Sequence, residues 1–155
     1  VLFLLVGDVS VDKEYVKKIF RLIKEYRLEE NIRLTGPVSH DELRRIYVAC
    51  DLFVLPSPEE PFGLVITEAM ACGKPVIGTR VGGIVTQIRD GWNGFLVEPK
   101  NEKALAEKIR YLIDNPDERK RMGINSRKLA EQEFNWKKLA QRYLRVYQEV
   151  SQGCD

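Results

Sequence analysis

Leu52-Phe53-Val54-Leu55-Pro56-Ser57-Pro58-Glu59-Glu60-Pro61-Phe62-Gly63-Leu64-Val65-Ile66-Thr67-Glu68-Ala69-Met70-Ala71-Cys72-Gly73-Lys74-Pro75-Val76-Ile77 holds two short apolar runs on either side of a loop and a helix. The first run, Leu52 to Leu55, is cut off by Pro56, which has no N–H for a sheet ladder. Ser57 to Pro61 is a loop rich in Pro and Glu. Gly63 to Ala71 reads as a helix, with Gly73 as its stop and Pro75 just beyond. Val76-Ile77 starts the next strand. A strand, a crossover helix and a strand in this order predict two parallel strands.

The same alternation extends both ways. Val1 to Val6 is a continuous apolar run ended by Gly7-Asp8, as expected of a strand buried on both faces. Val16, Ile19, Phe20 and Ile23 follow at helical spacing. Asn31 to Thr35 reads as a strand stopped by Gly36-Pro37. Ser39-His40-Asp41-Glu42 is a capping box for a helix that buries Leu43, Ile46 and Tyr47. After Val76-Ile77, Gly82-Gly83 marks a tight turn and Phe95-Leu96-Val97 a fifth strand. Asn101 and Asn115-Pro116 start two helices. Trp136, Leu139, Ala140, Tyr143, Tyr147 and Val150 mark an amphipathic last helix over 135–152. The expected fold class is α/β: a Rossmann-like three-layer α/β/α domain with a mostly parallel sheet. Ligands of such sheets bind beyond the carboxyl ends of the strands. The Gly36-Pro37-Val38 turn and the Ser57 to Gly63 loop lie there.

The 155 residues fit one domain over 1–155, and 44% hydrophobic with 31% charged residues is the balance of a globular chain. A net charge of +2 gives no case for nucleic-acid or membrane-surface binding. Cys50, Cys72 and Cys154 are odd in number and without metal-ligand spacing, so a reduced, intracellular compartment is expected. The apolar start is too short to span a bilayer and lacks the basic flank of a signal peptide. It opens in mid-strand without an initiator Met, so the sequence is expected to be a fragment.

The loop and helix start at Pro61-Phe62-Gly63-Leu64 suit an anion. Glycine lets a ligand approach bare backbone. The free N–H groups of Phe62, Gly63 and Leu64 would carry about half a positive charge at the helix start. Glu60 sits ahead of the helix, and Glu68 lies roughly 7 Å along its axis from Gly63 at about 1.5 Å per residue. Carboxylates are good acceptors for sugar hydroxyls, so the group matches a sugar, a diphosphate and a ribose in sequence. Two Glu residues at this spacing are common by themselves; the whole string is more specific.

That string, Glu60 to Glu68, then Ala69-Met70-Ala71-Cys72-Gly73-Lys74-Pro75-Val76 and Val81-Gly82-Gly83, closely resembles the signature of the family 4 glycosyltransferases, which have the GT-B fold. Gly36-Pro37-Val38, Leu55-Pro56-Ser57, Asp90-Gly91-Trp92-Asn93-Gly94 and Phe134-Asn135-Trp136 extend the match over nearly the whole chain. The resemblance implies the C-terminal, donor-binding half of a retaining hexosyltransferase-type enzyme. An N-terminal acceptor domain and the first strand of this domain would be absent, and 135–152 would dock on the missing domain. Glu60 would contact the donor sugar near the reacting centre. The backbone of Phe62, Gly63 and Leu64 would hold sugar hydroxyls or phosphates. Glu68 would accept from the ribose, and Val38 would pack on the base. The resemblance implies a nucleotide-diphosphate sugar as donor, with no cofactor and no bound metal. The acceptor, a sugar, lipid-linked sugar or other, falls to the missing domain. The implied location is cytoplasmic, with peripheral contact at the cytoplasmic membrane face left open.

Two departures from the family pattern stand out. Thr86 occupies the place of a usual Glu three residues after the Gly-Gly pair. The family's diphosphate-binding Arg and Lys fall upstream of Val1, so the isolated chain is expected to fold without catalysing transfer. Other readings are a non-catalytic nucleotide-sugar-binding module, or another GT-B enzyme such as a phosphorylase or sugar-nucleotide epimerase. No Gly-x-Gly-x-x-Gly follows a strand and Gly73-Lys74 is followed by Pro75, which argues against dinucleotide and Walker sites. His40, at the first turn of a capped helix, is expected to be exposed and uninvolved. Cys72 is expected to pack, Lys74 to lie in a surface turn or reach an anion, and Trp92 to anchor its loop. The stripe of the last helix is expected to face a core, or else to be exposed as a docking face.

Overall fold

The structure is a computed structural model that describes residues 1–152, without the side chain of Gln152. The chain divides into two compact units, 1–46 and 47–155. Every strand pairing is parallel, as expected for the fold class, and the strands form a two-stranded and a three-stranded sheet.

The first unit contains β1 (Phe3–Val6), α1 (Lys13–Glu25), β2 (Ile32–Gly36) and the start of α2 (His40–Ala49). β1 pairs with β2. The carboxylate of Asp12 caps α1 by accepting from the Tyr15 N–H at 2.9 Å. The capping box is complete: the Ser39 N–H donates to Glu42 Oε2 at 2.8 Å, and the Glu42 N–H donates to Ser39 Oγ at 3.3 Å. The Ser39 hydrogen bonds hold the exposed Glu42 carboxyl below its usual range. Two expectations fail here. Phe20 is exposed, as are all four residues of β1. An apolar run forecasts burial on both faces only when layers cover the strand, and β1 has β2 alone as a strand neighbour.

The second unit is built on β3 (Phe53–Leu55), β4 (Val76–Thr79) and β5 (Gly94–Val97), in that spatial order. Its helices are α3 (Leu64–Ala71), the single turn α4 (Ile84–Gln87), α5 (Glu102–Asp114), α6 (Pro116–Glu133) and α7 (Trp136–Gln152). β4 and β5 are buried along their whole length. Ile77 of β4 belongs to a cluster with Phe95, Val97, Leu112 of α5 and Met122 of α6. Gly78, next in the strand and so on the other face, lies against Ile66 of α3 and Ile84 of α4. This sheet therefore has helices on both faces, the expected three layers.

The helix ends follow the sequence with one change. Gly73 stops α3 in a Schellman arrangement, with the Gly73 N–H donating to Met70 O and the Lys74 N–H to Ala69 O. Asn101 caps α5 through its side chain at 3.0 Å. Asn115 does not cap α6 that way: its amide donates back to Tyr111 O at 2.8 Å, closing α5 instead. One short side chain cannot serve two abutting helices, and Pro116 at the first helical position already removes one donor from α6. Lys74 donates to Val48 O at 2.9 Å, which ties the end of α2 to the turn after α3. Cys50 and Cys72 are free and half-buried, and burial pushes the Cys50 thiol up. Cys154 lies outside the described residues.

The Asp90 to Gly94 segment is a hydrogen-bonding hub centred on a buried side chain. Asn93 is fully buried; its Oδ1 accepts from the Arg89 N–H at 2.7 Å and its Nδ2 donates to Gln87 O at 3.1 Å. Its carbonyl accepts from Ser126 Oγ of α6 at 2.9 Å. Trp92 is the expected anchor, half-buried with the Arg89 guanidinium 5.2 Å from its ring centre. Replacing Asn93 by Ala strands two backbone groups, the buried Gln87 O and the part-buried Arg89 N–H. It is expected to cost about 2–4 kcal/mol, which calorimetry would read as a fall in Tm of roughly 5–10 °C.

The α7 stripe faces solvent rather than a core. Trp136 is 79% exposed and Tyr147 69% exposed, while Leu139 alone among the large apolar side chains of the stripe is half-buried. No helix among the described residues is long and apolar enough to cross a membrane.

Candidate functional site

The loop between β3 and α3 is fastened from the segment that runs from β4 into α4. Thr79 Oγ1, at the end of β4, donates to Ser57 O. The Gly83 N–H lies 3.1 Å from both Glu60 O and Pro61 O. Gln87 Nε2 donates to Phe62 O. Four carbonyls of one loop are thus turned toward the same supporting segment. The N–H groups of Phe62, Gly63 and Leu64 have no acceptor among the described residues.

The two glycines are required by this close approach. A Cβ on Gly82 would lie 1.9 Å from Glu60 O, and one on Gly83 2.5 Å from Phe62 Cα. At the other end of the loop, Gly63 adopts φ +85°, a left-handed conformation that side chains disfavour, as the residue before α3. The Phe62 ring packs edge-on against Phe134, with centroids 6.2 Å apart. This explains why Phe134, remote in sequence, belongs to the same pattern.

The carboxylates are held differently. Glu60 is half-buried, and its Cγ would lie 3.3 Å from a Cβ built on Gly63, so its stem lies over the helix start. Its carboxylate makes no ion pair among the described residues. Glu68, one and a half turns into α3, accepts from the Tyr47 hydroxyl at 2.9 Å through Oε2. Burial, then the bond to Glu68, pushes the Tyr47 phenol well above its usual range. It therefore stays a donor at neutral pH and orients one carboxylate oxygen of Glu68.

Glu60, Phe62, Gly63, Leu64 and Glu68 thus gather on one loop and helix of the second unit. Val38 lies in the first unit, half-buried in the turn between β2 and α2. His40 is exposed, as expected. Thr86 is exposed, and its hydroxyl donates to Gly83 O at 2.7 Å. Sequence reasoning did not find the supports Tyr47, Thr79 and Gln87. Only Gln87 carried a signal: a polar residue between Ile84 and Ile88 where a buried turn wants an apolar one. Among the described residues no group of three or more His, Cys, Asp or Glu is placed to hold a metal ion.

The second unit is three-layered, with a helix start braced beyond the end of β3, and comparison with known proteins gives its family. Residues 1–129 match the family of group 1 glycosyl transferases, and the chain belongs to that family. It is 39% identical over 152 residues to an uncharacterized glycosyltransferase of Methanocaldococcus jannaschii, covering 96% of this chain and 41% of that protein. Among solved structures it resembles HepE of Anabaena in complex with UDP, with TM-score 0.90 and 32% identity over 96% of this chain and 41% of that one. It also resembles the C-terminal domain of a glycosyl transferase group 1 family protein from Francisella tularensis. There the TM-score is 0.75 and the identity 31%, over 79% of this chain and 64% of that one. The fold is that of the C-terminal domain of GT-B glycosyltransferases, and the chain spans about two fifths of the length of the first two of these relatives.

Proposed function

We propose that the second unit carries the donor site of a retaining glycosyltransferase and binds a nucleotide-diphosphate sugar at the start of α3. The observation that carries this reading is the orientation of the loop. Its carbonyls are held toward β4 and α4, and the three N–H groups at the helix start have no acceptor among the described residues. Such a helix start favours a phosphate, and the complex of HepE with UDP supports the reading.

The site residues then take distinct roles. The N–H groups of Phe62, Gly63 and Leu64 hold phosphate oxygens or sugar hydroxyls and stabilise charge that develops on the leaving diphosphate. Glu68, with one oxygen held by Tyr47, accepts from the ribose. Glu60 anchors the sugar close to the reacting carbon, as an electrostatic and hydroxyl-binding group rather than as the nucleophile of a retaining hydrolase. Transfer is metal-independent, with backbone donors and basic side chains of the longer protein countering the diphosphate. The acceptor binds to an N-terminal domain, and the protein works in the cytoplasm or at the cytoplasmic membrane face.

A second reading, a non-catalytic nucleotide-sugar-binding module, draws on Thr86, whose hydroxyl serves its own turn in place of the family's Glu. A calorimetric screen of the longer protein against nucleoside diphosphates and their sugars, followed by a transfer assay with chelator present, separates the two. One nucleotide is expected to bind, Glu68→Ala to weaken it about 10- to 100-fold, and transfer to persist with the chelator. Binding that depends on Glu68 without any transfer would favour the module. Weak binding of every nucleotide, indifferent to Glu68→Ala, would remove the donor-site reading.

A further inference from the structure

We propose that Gln87 is a positioning residue of the donor pocket, setting the direction of the Gly63 N–H; the proposal rests on the donor-site reading above. Gln87 is fully buried, although a primary amide loses free energy on leaving water unless both of its ends are paired. Both are. Nε2 donates to Phe62 O, and Oε1 accepts from Thr67 Oγ1 at 2.6 Å. The assignment of the two amide ends follows from the partners. A carbonyl can only accept, so the NH2 must face Phe62. The oxygen is left to Thr67, whose hydroxyl must then donate.

The effect on the site follows from the peptide group. Phe62 C=O and Gly63 N–H belong to one planar trans unit and point in opposite directions. Drawing the carbonyl toward Gln87 therefore turns the Gly63 N–H away from the supporting segment. Gly63 at φ +85° offers little resistance to rotation of that plane, since no Cβ restricts it. Without the amide, the plane can turn over and present a carbonyl oxygen to a phosphate. Gln87 is itself fixed, because its own carbonyl accepts from Asn93 Nδ2 at 3.1 Å within that hub. Thr67 lies on α3, so the same amide also sets the loop against the helix it leads into.

The test compares UDP with uridine, titrated calorimetrically into the intact protein as wild type, Q87L and Q87E. Q87L keeps the bulk and removes the donor. It is expected to lose about tenfold or more in UDP affinity while uridine binding stays unchanged. Q87E is isosteric and keeps the test available if Q87L does not fold. Its buried carboxyl titrates above the usual value of about 4.3. Protonated, it can donate to Phe62 and accept from Thr67; ionised, it cannot donate. The ratio of Q87E to wild-type UDP affinity is therefore expected to fall as pH rises through that raised pKa. Taking the ratio cancels the titration of UDP itself. A merely structural role would depress UDP and uridine binding together and leave the ratio flat with pH, and either result would overturn the proposal. Wild-type protein that binds no nucleoside diphosphate at any concentration tested would instead remove the donor-site reading, and this proposal with it.

Discussion

Replacing Glu60 by Ala in the longer protein is expected to slow glycosyl transfer about 100- to 1,000-fold while UDP affinity changes only a few-fold. The size is that of removing one preorganised group aimed at the reacting centre. The asymmetry comes from position. Glu60 lies over the helix start and makes no ion pair among the described residues, whereas the proposed diphosphate contacts are backbone N–H groups that Ala leaves in place. Glu60→Gln refines the assignment. An anchoring side chain keeps part of its hydrogen bonding as an amide, so Gln should retain more activity than Ala. A nucleophile would be equally inactive as either. Transfer within a few-fold of wild type in Glu60→Ala would show that Glu60 is not the group at the reacting centre.

Gly83→Ala is expected to abolish nucleotide binding at concentrations that saturate the wild type, a loss of about 100-fold or more, with the far-UV circular dichroism retained. Gly83 has φ −71°, an ordinary conformation for Ala, so the effect is steric. The added carbon would meet Phe62 Cα at 2.5 Å, Pro61 O at 2.6 Å and Phe62 O at 2.9 Å. All three are backbone atoms and cannot swing aside, so the loop itself must move. Overpacking of this kind costs about 1–3 kcal/mol, too little to unfold a chain of this size but enough to displace the N–H groups. Val85→Ala, at an exposed neighbour in the same turn, serves as the control and should bind UDP within a few-fold of wild type. Binding unchanged in Gly83→Ala would mean that the loop does not need the Gly-Gly support.

The contrast between what the residues announced and what they concealed is a matter of range. Ser39 and Glu42, three positions apart, showed their reciprocal bonds, and Gly73 its helix stop, because both depend on neighbours in the chain. The pairing of Thr79 with Ser57 spans 22 residues and that of Gln87 with Phe62 spans 25, and no periodicity encodes either. The resemblance named the Gly-Gly pair without its reason, which is the approach of Gly82 and Gly83 to the backbone of Glu60, Pro61 and Phe62. Burial was misjudged where amphipathic pattern stood in for packing. β1 carries the apolar run of a buried strand, yet all four of its residues are exposed, and of the two readings open for the α7 stripe the exposed one holds for all its large apolar residues but Leu139. Pattern records which face can be covered; it does not record what covers it.

The central claim is that a nucleoside diphosphate sits on the N–H groups at the start of α3. Amide chemical-shift mapping of the 15N-labelled protein during a UDP titration tests it most directly, because the Gly63 N–H is itself a reporter. The account expects the amide signals of Phe62, Gly63 and Leu64 to shift most, with uridine alone producing much smaller shifts at Gly63. Saturable UDP shifts that leave these three signals unmoved and cluster elsewhere in the chain would contradict it.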